Sequence, residues 1–230
     1  MSTQAIYALR DPDATREALR DSAFVSAYAA AAKLLGMCFA FSPKQEESMA
    51  ALAAIREMDI VHDWPFGSES NAENALVNQA AVLIGQGTEE CGAALSLEYQ
   101  RLFVGPGHLA APPWGSVYMD RDKVTYGGTW IELREWMRVC GIESEYDERV
   151  PEDQIGRLLV MSSEVASQRR DALPELLGNH LLPWADRYFD LLAEDAELAT
   201  YRGLAFLAKA TFSDVQDYLG IVPANKRLYR

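Results

Sequence analysis

A helical period runs through most of this chain and constrains its fold more than any other feature. In TWIELREWMRVCG, Leu133, Trp136, Met137 and Cys140 fall at i, i+3, i+4 and i+7, the spacing that lines one face of an α-helix. Gly141 follows, where a helix would stop. PEDQIGRLLVMSSEVASQRR repeats the pattern with Ile155, Leu158, Leu159 and Val165, on a helix expected to start at Pro151 with Asp153 and Gln154 in its first turn. Further helices are expected over residues 14–41, 72–84, 88–103 and 198–219, and one interrupted near Pro183. SPKQEESMAALAAIREM should open another, with Ser42 as N-cap and Pro43 at the first helical position. The last residues, IVPANKRLYR, are basic and expected to be extended. No long apolar–polar alternation appears, and no strand–helix–strand rhythm. The expected architecture is all-α: a single-domain helical bundle of about ten helices over residues 1–230.

One stretch breaks the pattern. GPGHLAAPPWGSVYMD, residues 105–120, carries three prolines and three glycines with almost no charge, a composition that interrupts helices and strands. Yet Trp114, Val117, Tyr118 and Met119 are apolar, whereas disordered linkers have few such residues. Long central loops of this kind are usually functional. The two prolines before Trp114 fix the backbone, and the indole offers a broad apolar face with a donor at its edge. Trp114 therefore reads equally well as an interface anchor or as a plug holding the loop to the bundle.

Charge and cysteine content narrow the class. A net charge of −13 on 230 residues argues against nucleic acid as a partner, because phosphate contacts need Lys and Arg surfaces. It favours solubility, and it would also attract a basic partner. Cys38, Cys91 and Cys140 are odd in number and far apart, so no disulfide framework is implied and a reducing cytoplasm is the expected compartment. All three read as small buried hydrophobes. AFVSAYAAAAKLLGMCFAF, residues 23–41, has the length of a membrane span. Lys33 lies inside it and four acids precede it, so a buried helix is expected and no stable membrane insertion.

Catalytic chemistry is sparse. His62, His108 and His180 are scattered without metal spacing, and no phosphate loop, zinc-binding helix or nucleophile elbow occurs. His108 reads as a solvated loop histidine. Asp153 reads either as a partner for an arginine or as an acid complementing a helix dipole. No cofactor or metal is implied, and the chain is not expected to be an enzyme; a nucleotide-binding or nucleotide-hydrolysing helical enzyme and a purely structural helical subunit are the alternative classes.

EYQRLFVGPGHLAAPPWGSVYMDRDKV, residues 98–124, closely resembles the signature of the TorD/DmsD family of redox-enzyme maturation chaperones, its DmsD-like members in particular. AKLLGMCFAFSP, DWPFG, TWIELREWMRVCGI, PEDQIGRLLVMSSEVA, HLLPWADRYFDLL and IVPANKRLYR follow the family's order. The resemblance spans residue 30 to residue 230, with residues 1–22 as an N-terminal extension. It implies an all-helical cytoplasmic chaperone. Its partners would be the twin-arginine signal peptide and precursor of a molybdenum reductase catalytic subunit, of the dimethyl-sulfoxide or trimethylamine-N-oxide reductase type, and the Tat translocase. Carried over by position, the signal-peptide-binding residues are Tyr99, Leu102, Phe103, Pro113, Trp114, Asp153 and Gln154. The chain departs from the family at Gln154, where the family pattern has His after Asp. It departs again at Gly107, where DmsD-like proteins carry an aromatic after Gly-Pro.

Overall fold

The computed structural model describes residues 6–67, 75–143 and 150–230. Helices dominate, and among the described residues the strands are one short antiparallel pair, β1 (Ala8–Leu9) and β2 (Ile221–Val222), in register Ala8 to Val222 and Leu9 to Ile221.

The helix expected over residues 14–41 is two helices, α1 (Pro12–Ala18) and α2 (Ser22–Ala40). Each has its own N-cap: Asp11 accepts from the N–H groups of Asp13 and Ala14, and Asp21 accepts from that of Ala23. A carboxylate in that position satisfies donors that a continuous helix would have used, so the chain turns at residues 19–21. Among the described residues α2 is the helix long and apolar enough to cross a membrane by length and composition. Its apolar side is occupied: Val25, Tyr28, Ala32, Leu35 and Phe39 are buried, and Lys33 faces out.

α2 lies against α3 (Glu46–Glu57) and, most extensively, α9 (Ile155–Gln168). The contact with α9 is backbone to backbone. A Cβ added at Gly156 would sit 2.2 Å from the Ala40 nitrogen, and one at Gly36 would sit 2.9 Å from the Gly156 carbonyl. Ser42 does not cap α3. Its carbonyl closes a turn with the Gln45 N–H at 2.8 Å, and the helix begins one residue later.

α4 (Ile60–Asp63) and α5 (Ala75–Gln86) follow; residues 72–74 of the expected helix lie outside the described residues. The helix expected over 88–103 is divided into a 3-10 turn (Gly87–Glu89), α6 (Gly92–Tyr99) and a π-helical turn (Gln100–Val104). α7 (Gly115–Met119) lies within the central Pro/Gly-rich loop, and α8 (Gly128–Cys140) stops at Gly141, whose φ of 63° is the left-handed cap expected there. α10 (Leu173–Glu175) runs through a π-turn (Leu176–Leu181) into α11 (Leu182–Asp195), so the interruption near Pro183 is present. α12 (Ala199–Tyr218) packs on α5 and α11 and touches α2, and β2 follows it.

The apolar residues of the loop belong to the core. Val117, Tyr118 and Met119 of α7 are buried, and the Tyr118 ring stacks on Trp184 at 5.2 Å between centroids. Of the cysteines, only Cys38 is fully buried. Cys140 is half-buried, and Cys91 is exposed at the N-cap of α6, outside that helix's inward face.

Candidate functional site

The sequence-marked residues meet where α7, the start of α9, the π-turn after α6 and the end of α2 converge. Trp114 and Gln154 form an antiparallel bridge. Its flanking bonds run from the Ile155 N–H to the Pro113 carbonyl at 2.7 Å and from the Gly115 N–H to the Asp153 carbonyl at 3.1 Å. A Pro-stiffened strand is thus stitched to the entry of a helix, which fixes the direction of both.

Gln154 completes the seam. Its Oε1 accepts from the Arg157 N–H at 2.9 Å, capping α9, while its Nε2 donates to the Phe39 carbonyl at 2.9 Å. α9 therefore begins at Ile155, and Asp153 lies before the helix rather than in its first turn. The Tyr99 hydroxyl also reaches the Phe39 carbonyl, at 3.4 Å. Tyr99 stacks on Phe103 at 4.8 Å, and Phe103 lies 5.9 Å from the Phe39 ring. The π-turn helps place these groups, as it brings Leu102 and Phe103 inward beside Tyr99.

Asp153 is 4% exposed. Its Oδ2 accepts from the Ser116 N–H at 2.7 Å, so it caps α7 across the seam. Oδ1 has no hydrogen-bond partner among the described residues. Burial pushes its carboxyl up to about 6, against the opposing pull of the Ser116 N–H. The structure thus brings Tyr99, Leu102, Phe103, Pro113, Trp114, Asp153 and Gln154 into one region, and of these only Trp114 is not fully buried. Its ring packs partly on the core, with a buried Nε1 that has no hydrogen-bond partner among the described residues.

Sequence reasoning passed over the frame behind this seam. Glu98 and Arg101 form a two-pronged pair at 2.8 and 2.9 Å, and Arg101 reaches the Asp195 carboxylate at 2.8 Å and its carbonyl at 2.7 Å. Glu98 also accepts from the Glu197 N–H at 2.7 Å, holding the approach to α12. Burial opposes its charge, but Arg101 and the N–H groups of Glu197 and Leu198 outweigh burial and hold the carboxyl below its ordinary range. The i,i+3 spacing of Glu98 and Arg101 was legible; the partner 94 residues on was not. Among the described residues no cluster of metal-ligating side chains occurs. His180 is buried with its pKa pushed down to about 3 by burial, and His108 is exposed on the loop.

A profile of the family described as "Nitrate reductase delta subunit" matches residues 68–190, which include α5, the central loop and the seam. The Tat proofreading chaperone DmsD of Salmonella paratyphi A is 36% identical over 204 residues, 88% of this chain and 96% of that protein. The chain belongs to the TorD/DmsD family. A second relative in this family, chaperone protein TorD of Aliivibrio fischeri, is 24% identical over 60% of this chain and 69% of its own length. The fold is shared with a putative redox enzyme maturation protein from Archaeoglobus fulgidus, with a TM-score of 0.52 at 18% identity, covering 78% of this chain and 91% of that one. Against the TorD/DmsD pattern, the Gln154 amide accepts and donates at once and carries no titrating proton. Gly107, where an aromatic was expected, has φ of 124°, a conformation that favours glycine.

Proposed function

We propose that this chain is a cytoplasmic chaperone that binds the twin-arginine signal peptide of a molybdenum-cofactor oxidoreductase of the dimethyl-sulfoxide or trimethylamine-N-oxide reductase type. It holds the precursor until the cofactor is in place, then yields it to the Tat translocase. It acts by binding, without turnover. The observation that carries this reading is the 36% identity over 96% of a Tat proofreading chaperone, in a chain whose signature loop is stitched to α9 and leaves Trp114 half-exposed.

Each part of the site has a physical role in this reading. Trp114 anchors the apolar body of the leader. Pro113 fixes the anchor's backbone, and Tyr99, Leu102 and Phe103 back the region from the core side. The net charge of −13 draws the basic head. Asp153 is a buried carboxylate whose charge is costly where it stands, so a cation brought beside it is favoured. Gln154 holds the helix entry in register.

Calorimetry with a synthetic twin-arginine leader of a dimethyl-sulfoxide-reductase-type subunit tests this. Binding is expected, weaker as salt rises because part of the attraction is screened, and weaker again when both arginines are glutamine. Equal binding of the two leaders, or no binding of either, removes the proposal.

A further inference from the structure

We propose that the backbone carbonyls of Leu109 and Ala110 form a guanidinium site, filled here by Arg230 of the same chain and taken by an arginine of the bound leader. The inference rests on the function proposed above and adds a second subsite and a built-in competitor to it.

Residues 226–230 read Lys-Arg-Leu-Tyr-Arg, three cations in five residues of a chain with net charge −13. The segment lies across the central loop and is held at three points. The Lys226 ammonium pairs with Glu132 at 2.8 Å, and the Tyr229 N–H donates to the Tyr118 carbonyl at 2.9 Å. The Arg230 guanidinium donates to Ala110 O from Nη2 at 2.9 Å and from Nε at 3.3 Å, and to Leu109 O from Nη2. Nη2 also lies 3.4 Å from His108 Nε2.

Unlike Lys226, Arg230 has no carboxylate within ion-pair distance among the described residues. Two neutral carbonyls and the edge of the His108 ring receive it, and among the described residues neither carbonyl accepts from another backbone N–H. Two converging acceptors match the planar fork of an arginine better than the point charge of a lysine. A contact of this kind carries no sequence information beyond the guanidinium, so a second arginine fits it as well as the first.

The chemistry of the resident segment matches that of the proposed ligand. Its cations are interleaved with Leu228, which packs on the core, and with Tyr229, under the Arg227 guanidinium at 5.2 Å. The cradle and the anchor sit on one loop. Ala110 and Trp114 are at most about 14 Å apart along the chain, the reach of four or five extended residues. A leader can therefore place an arginine in the cradle and its apolar body on Trp114. It must first displace Arg230, whose attachment to the same chain gives it a high effective concentration.

Arg230→Gln empties the cradle while leaving the Lys226 and Tyr229 attachments. If Arg230 fills the cradle between about two-thirds and nine-tenths of the time, the variant binds the twin-arginine leader about threefold to tenfold more tightly than the unsubstituted protein. It binds the glutamine-substituted leader with unchanged affinity. Arg230→Lys gives a smaller gain. An unchanged or weaker affinity of Arg230→Gln for the twin-arginine leader, or an equal gain for both leaders, overturns the proposal while leaving the proposed function standing. The second arm needs no leader. N-acetyl-arginine amide at millimolar concentration should shift the amide NMR signals of Leu109, Ala110 and Ala111 in Arg230→Gln and not in the unsubstituted protein. Shifts there, with no leader bound by either protein, keep the cradle and discard the chaperone reading; absence of shifts in the variant discards the cradle.

Discussion

Asp153→Asn keeps the shape of a seam residue and removes its charge. The carboxyl titrates at about 6 in the fold and at 3.8 in the reference state, with burial as the leading cause. A folded pKa raised above the unfolded one means that the native state holds its proton longer. The contribution to stability is fully present below about pH 4 and is lost as pH climbs through 6. Two units at 1.36 kcal/mol each correspond to a cost of about 3 kcal/mol above that window. Asparagine escapes the cost and its amide oxygen still accepts from the Ser116 N–H, but its NH2 group takes the buried Oδ1 position, which has no partner among the described residues, a loss of about 1 kcal/mol. The variant should therefore be more stable than the unsubstituted protein by about 1–2 kcal/mol at pH 8, a melting temperature higher by about 2–8 °C for a chain of this size. At pH 4, where Asp153 is protonated in the fold and in roughly two-fifths of unfolded chains, ionisation leaves only about 0.5 kcal/mol between the two states and the advantage should vanish. Thermal melts followed by circular dichroism from pH 4 to pH 8 give the difference directly, and other carboxylates cancel in it. A variant less stable than its parent at pH 8, with a difference that does not change between pH 4 and 6, would show that the Ser116 cap outweighs burial and would refute this reasoning.

Two further substitutions probe the seam and the crossing beneath it. Trp114→Ala should weaken binding of the twin-arginine leader by about 2 kcal/mol, the scale of an interface anchor. Its melting temperature should fall only a few degrees, because the bonds on either side of Trp114 are made by the backbone of Pro113 and Gly115; a large loss of stability with unchanged affinity would make it a plug. Gly156→Ala should destabilise the fold by about 3 kcal/mol or more, since the added methyl would meet the α2 backbone at 2.2 Å; a melting temperature within 2 °C of the parent's would show that α2 and α9 separate freely.

The all-α class was legible because the helical period persists even where boundaries move. What moved them was capping from a distance. Asp153 looked like a first-turn acid of its own helix, yet it caps α7 at a separation of 37 residues. The start of α12 is held by Glu90, 109 residues before Ala199, and nothing local announces that partnership. Asp21 is different: its cap on α2 is local, but the uninterrupted apolar run after it hid the break. Tyr99, Leu102 and Phe103 share a helical face in the sequence, and periodicity alone does not say whether such a face lines an open groove or the core. Here it lines the core, and Trp114 is the one member of the group that stays half-buried.

The pairing of β1 with β2 has a consequence for the order of events during synthesis. The Thr15 hydroxyl reaches the Leu219 carbonyl across 204 residues of chain, and the strand pair beside it closes the same gap. A ribosome delivers residue 15 long before residue 219, so the early segment must wait exposed, with Leu19 lacking the neighbours that bury it in the finished fold. Closure is thus a late event: this chain becomes capable of guarding another protein only after residue 222 has left the exit tunnel.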